Sequence, residues 1–486
     1  MFSKVLIANR GEIALRIARA CRELGIRTVA VYSTDDRDSA VVGYADEAIQ
    51  IGPGAARRSY LSIPAIVEAA RRTSADAIHP GYGFLSEEAD FAEVCQANGL
   101  IFIGPRPEVI RRLGDKTAAR ALMADAGLPI LTGSPEPLRG IDEAQRAADS
   151  IGYPVIIKTV TGGGGRGMRV ARERDEFARA FAHTRASAQT LSGDGRVYVE
   201  KYLDHARHVE VQILADQHGN IVHLGERDCS VQRRHQKLLE ETPAPGLPAG
   251  LADRMGHAAV LGARAAGYTG AGTVEFLVDA RGEFSFIEVN CRIQVEHPVT
   301  EMATGVDLVQ EQFRAAAGEV LTLRQPDVLP RGSAIECRIN LEDPERNFAP
   351  TPGLLTEFSP AAGPFVRVDT HGYPGYRVPA TYDSLLAKLV VWAPTREQAV
   401  NRMRRALAEF RVNGPGIHTT TGFLSDVINH PLFQSARHTT AIVERVLAQR
   451  QTKTTPGEPG LEGSCQNRAR NGSPSSPGPP AGSGSL

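Results

Sequence analysis

The sequence predicts an α/β chain, α+β overall, in three globular units: a parallel α/β layer, a second unit carrying a glycine-rich cover, and a mixed α+β unit of short strands. Three observations predict it. A β-α-β pattern opens the chain, the cluster Gly162-Gly163-Gly164-Gly165 joins two strands near the middle, and from Gly332 short strands alternate with Pro/Gly turns before an amphipathic helix. With 486 residues, 42% of them hydrophobic, the chain has material for about three ordinary domains.

Residues 4–8 read as a buried strand, Ile13, Ile17, Cys21 and Leu24 then recur at helical spacing, and residues 28–32 supply the next strand. Ile63, Ile66, Val67 and Ala70 mark another helix, followed by Ala77-Ile78 and the turn-rich His79-Pro80-Gly81-Tyr82-Gly83-Phe84. The first strand-to-helix turn, Asn9-Arg10-Gly11-Glu12, lacks the G-x-G-x-x-G that lets a pyrophosphate approach backbone, which disfavours NAD and FAD. A helix over 115–126 leads into the second unit. In the third, residues 334–339, 365–369 and 385–392 read as strands and 396–410 as a helix. The expected boundaries are 1–114, 115–331 with a cover over about 133–202, and 332–446. The remaining 447–486 is dominated beyond about residue 450 by Pro, Gly, Ser, Thr and Asn, offers too few aliphatics to offset its ordering entropy, and is expected to be disordered.

Lys and Arg number 55 against 56 Asp and Glu, so net charge favours neither nucleic acid nor an anionic membrane as the main partner. The apolar run after Met1 is too short for a signal peptide, and no stretch reaches the roughly 20 apolar residues of a membrane span. A cytoplasmic protein is expected. Cys21, Cys95, Cys229, Cys291, Cys337 and Cys465 are scattered without a C-x-x-C pair, which fits reduced thiols.

Chemistry concentrates in three places. Lys158 ends the strand-like 154–158, four glycines follow, and 169–171 is strand-like again, so the lysine precedes the glycines on a strand and a Walker A loop is excluded. Glycines let backbone N–H groups approach phosphate closely and a nearby cation offsets its charge; a flexible hairpin turn explains the glycines alone equally well. Next, residues 273–278 and 283–290 alternate as two hairpin strands, each interrupted by one carboxylate, Glu275 and Glu288. An unpaired buried carboxylate is too costly to be casual. With Asn290 nearby and no Cys or His cluster, oxygen ligation of Mg²⁺ or Mn²⁺ fits, as does pairing with Arg or Lys at a strand edge. Last, Arg292, Gln294 and Glu296 stand at two-residue spacing and in extended form point one way.

Here the chain resembles the biotin carboxylases, a branch of the ATP-grasp superfamily, through Glu288-Val289-Asn290-Cys291-Arg292-Ile293-Gln294-Val295-Glu296-His297-Pro298-Val299-Thr300-Glu301. The resemblance extends to residues 7–14, 79–87, 114–116, 207–210, 232–237 and 336–339 and covers roughly 1–445. It implies an N-terminal biotin carboxylase domain, an ATP-grasp domain with a mobile lid, and a C-terminal biotin carboxylase domain. By that likeness Lys116, Lys158, His208, Gln232, His235 and the lid glycines Gly162, Gly163, Gly164 and Gly165 hold ATP, and Glu200, Lys201 and Leu203 meet adenine. Glu275, Glu288 and Asn290 hold metal ions. Arg292 fixes bicarbonate, Glu296 removes its proton, and Lys237 steadies carboxyphosphate. Arg338 stabilises the biotin enolate, with Tyr82, Gly83 and Gln294 around the ureido ring and Val295 also at the substrate. These residue types suit the chemistry: bicarbonate needs a base and a planar cationic fork, and phosphoryl transfer needs positioned positive charge.

Singly, Arg338 pairing with Glu336 at a strand edge and His208 as a half-buried structural histidine are ordinary readings. Departures from the family are Thr159-Val160-Thr161, where smaller side chains are usual, and Cys291 in place of Thr or Pro. No Ala-Met-Lys-Met biotinylation segment occurs, so biotin is expected on a separate carrier protein, beside a carboxyltransferase of an acetyl-CoA or other acyl-CoA carboxylase. The resemblance implies a homodimer, Arg19 and Glu23 matching positions the family uses there, although an i, i+4 helix pair explains these two residues equally well. Another ATP-grasp ligase acting on an amine, and an inactive scaffolding paralogue, are the alternatives.

Overall fold

Apolar runs and helix-spaced stripes generate the opening layer in chain order: β1 (Lys4–Ile7), α1 (Gly11–Glu23), β2 (Arg27–Ser33), α2 (Ala40–Tyr44), β3 (Glu47–Gly52), α3 (Ile63–Thr73), β4 (Ala77–His79), α4 (Ala89–Ala97) and β5 (Ile101–Phe102). The strands pair all-parallel in the order β3-β2-β1-β4-β5. Parallel strands covered on both faces are apolar throughout, and Val5, Leu6 and Ile7 are fully buried. The ends of β1 and β4 deliver two loops side by side, where Asn9 Nδ2 donates to the carbonyls of Pro80 and Tyr82, each at 2.7 Å. Gly81 is required there: its φ is +63°, and a Cβ would lie 2.9 Å from Asn9 Nδ2.

In the computed structural model, residues 1–160 and 168–454 are described. The four lid glycines, Cys465 and the part of the expected tail beyond residue 454 lie outside the described residues. After α5 (Pro107–Gly114), Asp115 caps α6 (Lys116–Asp125) by accepting from the N–H groups of Thr117 and Ala118, each at 3.0 Å. Then α7 (Ile141–Ile151), β6 (Val155–Thr159), β7 (Arg169–Ala171), α8 (Arg174–Ser192) and β8 (Val197–Lys201) form a small antiparallel sheet, β7-β6-β8, with two helices. It has a core of its own around Val155, Ile157, Phe177, Phe181 and Val199.

The main sheet follows: β9 (Arg207–Ala215), β10 (Ile221–Arg233), β11 (Gln236–Thr242), α9 (Leu251–Ala266), β12 (Gly270–Val278), β13 (Phe284–Asn290), α10 (His297–Thr304), α11 (Leu308–Ala316) and β14 (Ser333–Asn340). Strands Val366–Thr370 and Leu385–Ala393 and helix Arg396–Glu409 complete it. All eight strands are antiparallel, in the order β13-β12-β9-β10-β11-β14, then Leu385–Ala393, then Val366–Thr370. The sheet therefore runs unbroken past residue 332, because β14 pairs with β11, Glu240 standing opposite Glu336. Residues Met1–Val446 form one compact unit, and residues 447–454, expected within the disordered tail, are helical. Among the described residues no helix is long and apolar enough to cross a membrane, and the five cysteines are free and buried.

His371 closes the seam between α1 and the C-terminal strands: a Cβ on Gly11 would sit 3.6 Å from its Nδ1. Burial, then the charge of Arg10, holds its pKa down to about 3. An unfolded histidine titrates near about 6.5, so the neutral ring contributes stability above that pH, and the contribution is lost as pH falls toward the folded value. The stability advantage of the native chain over His371→Gln should therefore be largest near neutrality and shrink steadily by about pH 4, measured as the difference in urea midpoints. A pH-independent difference would contradict a neutral buried ring.

Candidate active site

Residues two apart on a strand share a face, and cross-strand neighbours stand about 4.5–5.5 Å apart, so register decides which charges meet. On β9, Glu210 lies opposite Arg227 of β10 and Glu275 of β12; Glu275 in turn lies opposite Glu288 of β13. Such a row of acids requires cations. Fully buried Arg227 donates from Nε to Glu210 at 2.6 Å. Lys237, on β11, is the hub: its ammonium lies 2.6 Å from Glu210, 3.0 Å from Glu275 and 2.7 Å from Glu296. Burial opposes its charge, yet the surrounding acidic groups outweigh burial and keep its pKa well above the usual lysine range.

Glu275 also meets His208 Nε2 at 2.9 Å and accepts from Asn290 at 2.9 Å and Gln294 at 3.2 Å. Burial would raise its pKa, but Lys237 and His208 pull it below the ordinary carboxylate range. Its neighbour Glu288 pairs with Lys116 at 3.3 Å. Both carboxylates expected to hold metal thus face lysines here, and β13 is an edge strand, as the plain ion-pair reading requires. The donor set nevertheless fits a divalent cation: opposed carboxylates and an amide oxygen are hard ligands, and lysines already stand where positive charge is needed. The ligand atoms of His208, Glu210 and Glu275 also lie within 4.8 Å of one another.

Residues 291–296 correct the extended reading. They form an irregular turn into α10, Glu296 occupying its N-cap position with φ −81° and ψ 10°. The turn is closed by the Gln294 carbonyl, which meets His297 Nδ1 at 2.7 Å. Strand alternation therefore does not aim the three side chains; their partners do. Arg292 donates to Gln294 Oε1 at 2.8 Å, to Asn290 Oδ1 at 3.0 Å and to Glu87 at 2.9 Å. Glu296 is fully buried with one oxygen on Lys237 and the other 2.8 Å from Arg338. Burial alone would raise the Glu296 pKa, but Lys237, Arg338 and Arg227 hold it well below the carboxylate range. Arg338 lies on the interior strand β14 and binds Glu240 and Glu296 rather than Glu336.

Of the nucleotide candidates, His208 and Gln232 lie in the main sheet and Lys158, Glu200 and Lys201 in the small sheet β7-β6-β8. His208 is buried, its Nδ1 hydrogen-bonded to Gln232 at 3.3 Å. Lys158, 2.5 Å from Glu200, shares that buried carboxylate with Arg120. His235 sits in the β10–β11 turn at φ +65°. Leu203 is half-buried just after β8. Lys201 is directed elsewhere, its ammonium donating to the carbonyls of Gly152 and Tyr153 at 2.9 Å each. Tyr82 donates its hydroxyl to Glu12, Gly83 has φ +68°, and the Val295 carbonyl accepts from Lys388 at 3.0 Å. Cys229 Sγ lies 3.9 Å from Glu296, but burial pushes its thiol up, which leaves it inert.

Sequence reasoning assigns no role to Glu210, Arg227, Glu240, Glu12 or Lys388. Glu210 carries the same signal as Glu275, a carboxylate inside an alternating apolar strand, Val209-Glu210-Val211.

Three family models match the chain: "Biotin carboxylase, N-terminal domain" over residues 1–110, "Carbamoyl-phosphate synthase L chain, ATP binding domain" over 115–324, and "Biotin carboxylase C-terminal domain" over 336–445. The biotin carboxylase of Nostoc sp. is 53% identical over 445 residues, 92% of this chain and 99% of that protein. Biotin carboxylase 1 of Bacillus subtilis is 52% identical over 445 residues, 91% of this chain and 98% of its own length. Among solved structures, the Campylobacter jejuni biotin carboxylase–β,γ-ATP complex superposes with TM-score 0.89 at 45% identity, covering 92% of this chain and 99% of that one. The Hydrogenobacter thermophilus 2-oxoglutarate carboxylase biotin carboxylase domain dimer, with MgADP, ADP and bicarbonate, has the same TM-score, identity and coverage.

Proposed function

The chain belongs to the biotin carboxylase family, and on that premise we propose how its residues divide the labour of ATP-dependent biotin carboxylation with bicarbonate. Lys116, Lys158, His208, Gln232 and His235, under the lid glycines Gly162, Gly163, Gly164 and Gly165, hold ATP, while Glu200, Leu203 and the backbone of Lys201, whose ammonium is taken by Gly152 and Tyr153, border the adenine. Glu275, Glu288 and Asn290 would hold Mg²⁺ or Mn²⁺, whose chemistry is to neutralise charge on the transferring phosphoryl group.

Arg292 presents a planar fork to bicarbonate and Glu296 takes its proton. The carbonate oxygen attacks the γ-phosphorus, ADP leaves, and Lys237 offsets the charge on the carboxyphosphate formed. Carboxyphosphate breaks into CO₂ and phosphate; the phosphate accepts the ureido proton, and the nitrogen adds to CO₂. Arg338 balances the enolate oxygen that forms meanwhile, within a pocket of Tyr82, Gly83, Gln294 and Val295. One observation carries this reading: the two oxygens of Glu296 are each held by a different cation, Lys237 and Arg338, the pair assigned to the two successive anions. The γ-phosphate of ATP, bound before the proton moves, competes for Lys237 and so returns the carboxylate toward its ordinary basicity.

The biotin is proposed to arrive on a separate biotin carboxyl carrier protein, to be passed on by an acyl-CoA carboxyltransferase, with this chain acting as a cytoplasmic homodimer. Bicarbonate-dependent ATP hydrolysis by the purified protein should rise with free biotin and depend on Mg²⁺ or Mn²⁺. Stimulation by amines instead would reassign the chain to another ATP-dependent ligase reaction, and ATP binding without turnover would reassign it to a scaffold.

A further inference from the structure

Tyr82 and Val295, the two walls assigned to the ureido ring, come from segments far apart in sequence, yet one buried ammonium ties them together. Lys388 lies within the strand Leu385–Ala393, fully buried between Ala387 and Leu389. Its Nζ donates to the Val295 carbonyl at 3.0 Å, meets Glu12 Oε1 at 3.0 Å, and lies 3.8 Å from Asp369. That same Glu12 oxygen accepts the hydroxyl of Tyr82, whose ring centroid is 6.0 Å from the ammonium. The result is a continuous relay from the Val295 carbonyl through Lys388 and Glu12 to Tyr82.

Burying an ammonium is costly before its partners are counted, and Lys388 stands directly opposite another cation, Arg338, on one side of its strand and Asp369 on the other. An apolar side chain, as at its strand neighbours, would avoid both penalties but leave the buried Glu12 and Asp369 without this cation. What the cation supplies is a simultaneous grip on the Val295 carbonyl and the Glu12 carboxylate, groups from segments far apart in the chain. We propose that Lys388 is a positioning residue for biotin, setting the spacing between the Tyr82 and Val295 walls of the ureido pocket. The assignment rests on reading this cleft as the biotin site.

Steady-state kinetics with free biotin test it. Lys388→Met should raise KM for biotin about 10- to 100-fold while KM for ATP moves less than about twofold, since displacement of a pocket wall by roughly an ångström has effects of that size. Removing the ammonium strands Glu12, so the double variant Lys388→Met with Glu12→Gln, which deletes both charges and keeps an acceptor for Tyr82, is measured beside it. A biotin KM within about twofold of native in either folded variant overturns the proposal. Parallel rises in both KM values overturn it too, as general loosening. If the native chain shows no response to biotin, the biotin reading of the cleft falls and this proposal with it; a native response with an unmoved variant KM removes the Lys388 role alone.

Discussion

Glu296→Gln should lower biotin-dependent turnover by about 10²- to 10⁴-fold, the range for loss of a positioned general base, and leave nucleotide affinity nearly intact. The amide keeps the size of the side chain and removes its ability to take the bicarbonate proton. ATP affinity is expected to survive because Lys116, Lys158 and His208 keep carboxylate partners of their own, Glu288, Glu200 and Glu275. Lys237 likewise keeps Glu210 and Glu275. Single-turnover phosphate release together with equilibrium binding of a nucleotide analogue separates the two effects. A large loss of nucleotide affinity would assign Glu296 to phosphate or metal binding instead.

The second large effect is on folding rather than chemistry. Arg227→Met should destabilise the protein by about 3–5 kcal/mol, the usual cost of stranding one partner of a buried ion pair. Besides Glu210, this guanidinium donates to Gln212 at 2.7 Å, Thr300 at 3.0 Å and Thr273 at 3.1 Å, joining β9, β10, β12 and α10. Methionine fills much of the volume but satisfies none of these acceptors. Urea unfolding followed by fluorescence and by circular dichroism should move to lower denaturant in both signals. A midpoint within error of the native one would mean that water or a shifted lysine replaces the arginine.

Much of the local structure is legible because periodicity is local. Alternation marks residues 273–278 and 283–290 as hairpin strands, and they form β12 and β13, with Glu275 opposite Glu288. The strands expected at 334–339, 365–369 and 385–392 appear within a residue or two as Ser333–Asn340, Val366–Thr370 and Leu385–Ala393. β10 escapes such a reading, and its register shifts between His223 and Glu226 and between Asp228 and Gln232 explain why: bulges break the two-residue period. The 291–296 segment misleads for the converse reason. Its polar residues alternate by spacing, but a helix start immediately after forces a turn.

The sequence shows the kinds of group available: strand-borne carboxylates, a lysine ahead of a glycine cluster, and Arg, Gln and Glu at two-residue spacing. Tertiary structure alone decided their partners. Lys237 meets three acids from three different segments, Arg338 turns from its strand neighbour Glu336 to Glu240 and Glu296, and Lys388 spans Val295 and Glu12. Those pairings follow from cross-strand register and from the strength of charge–charge attraction away from water, and both arise only when distant strands are packed together.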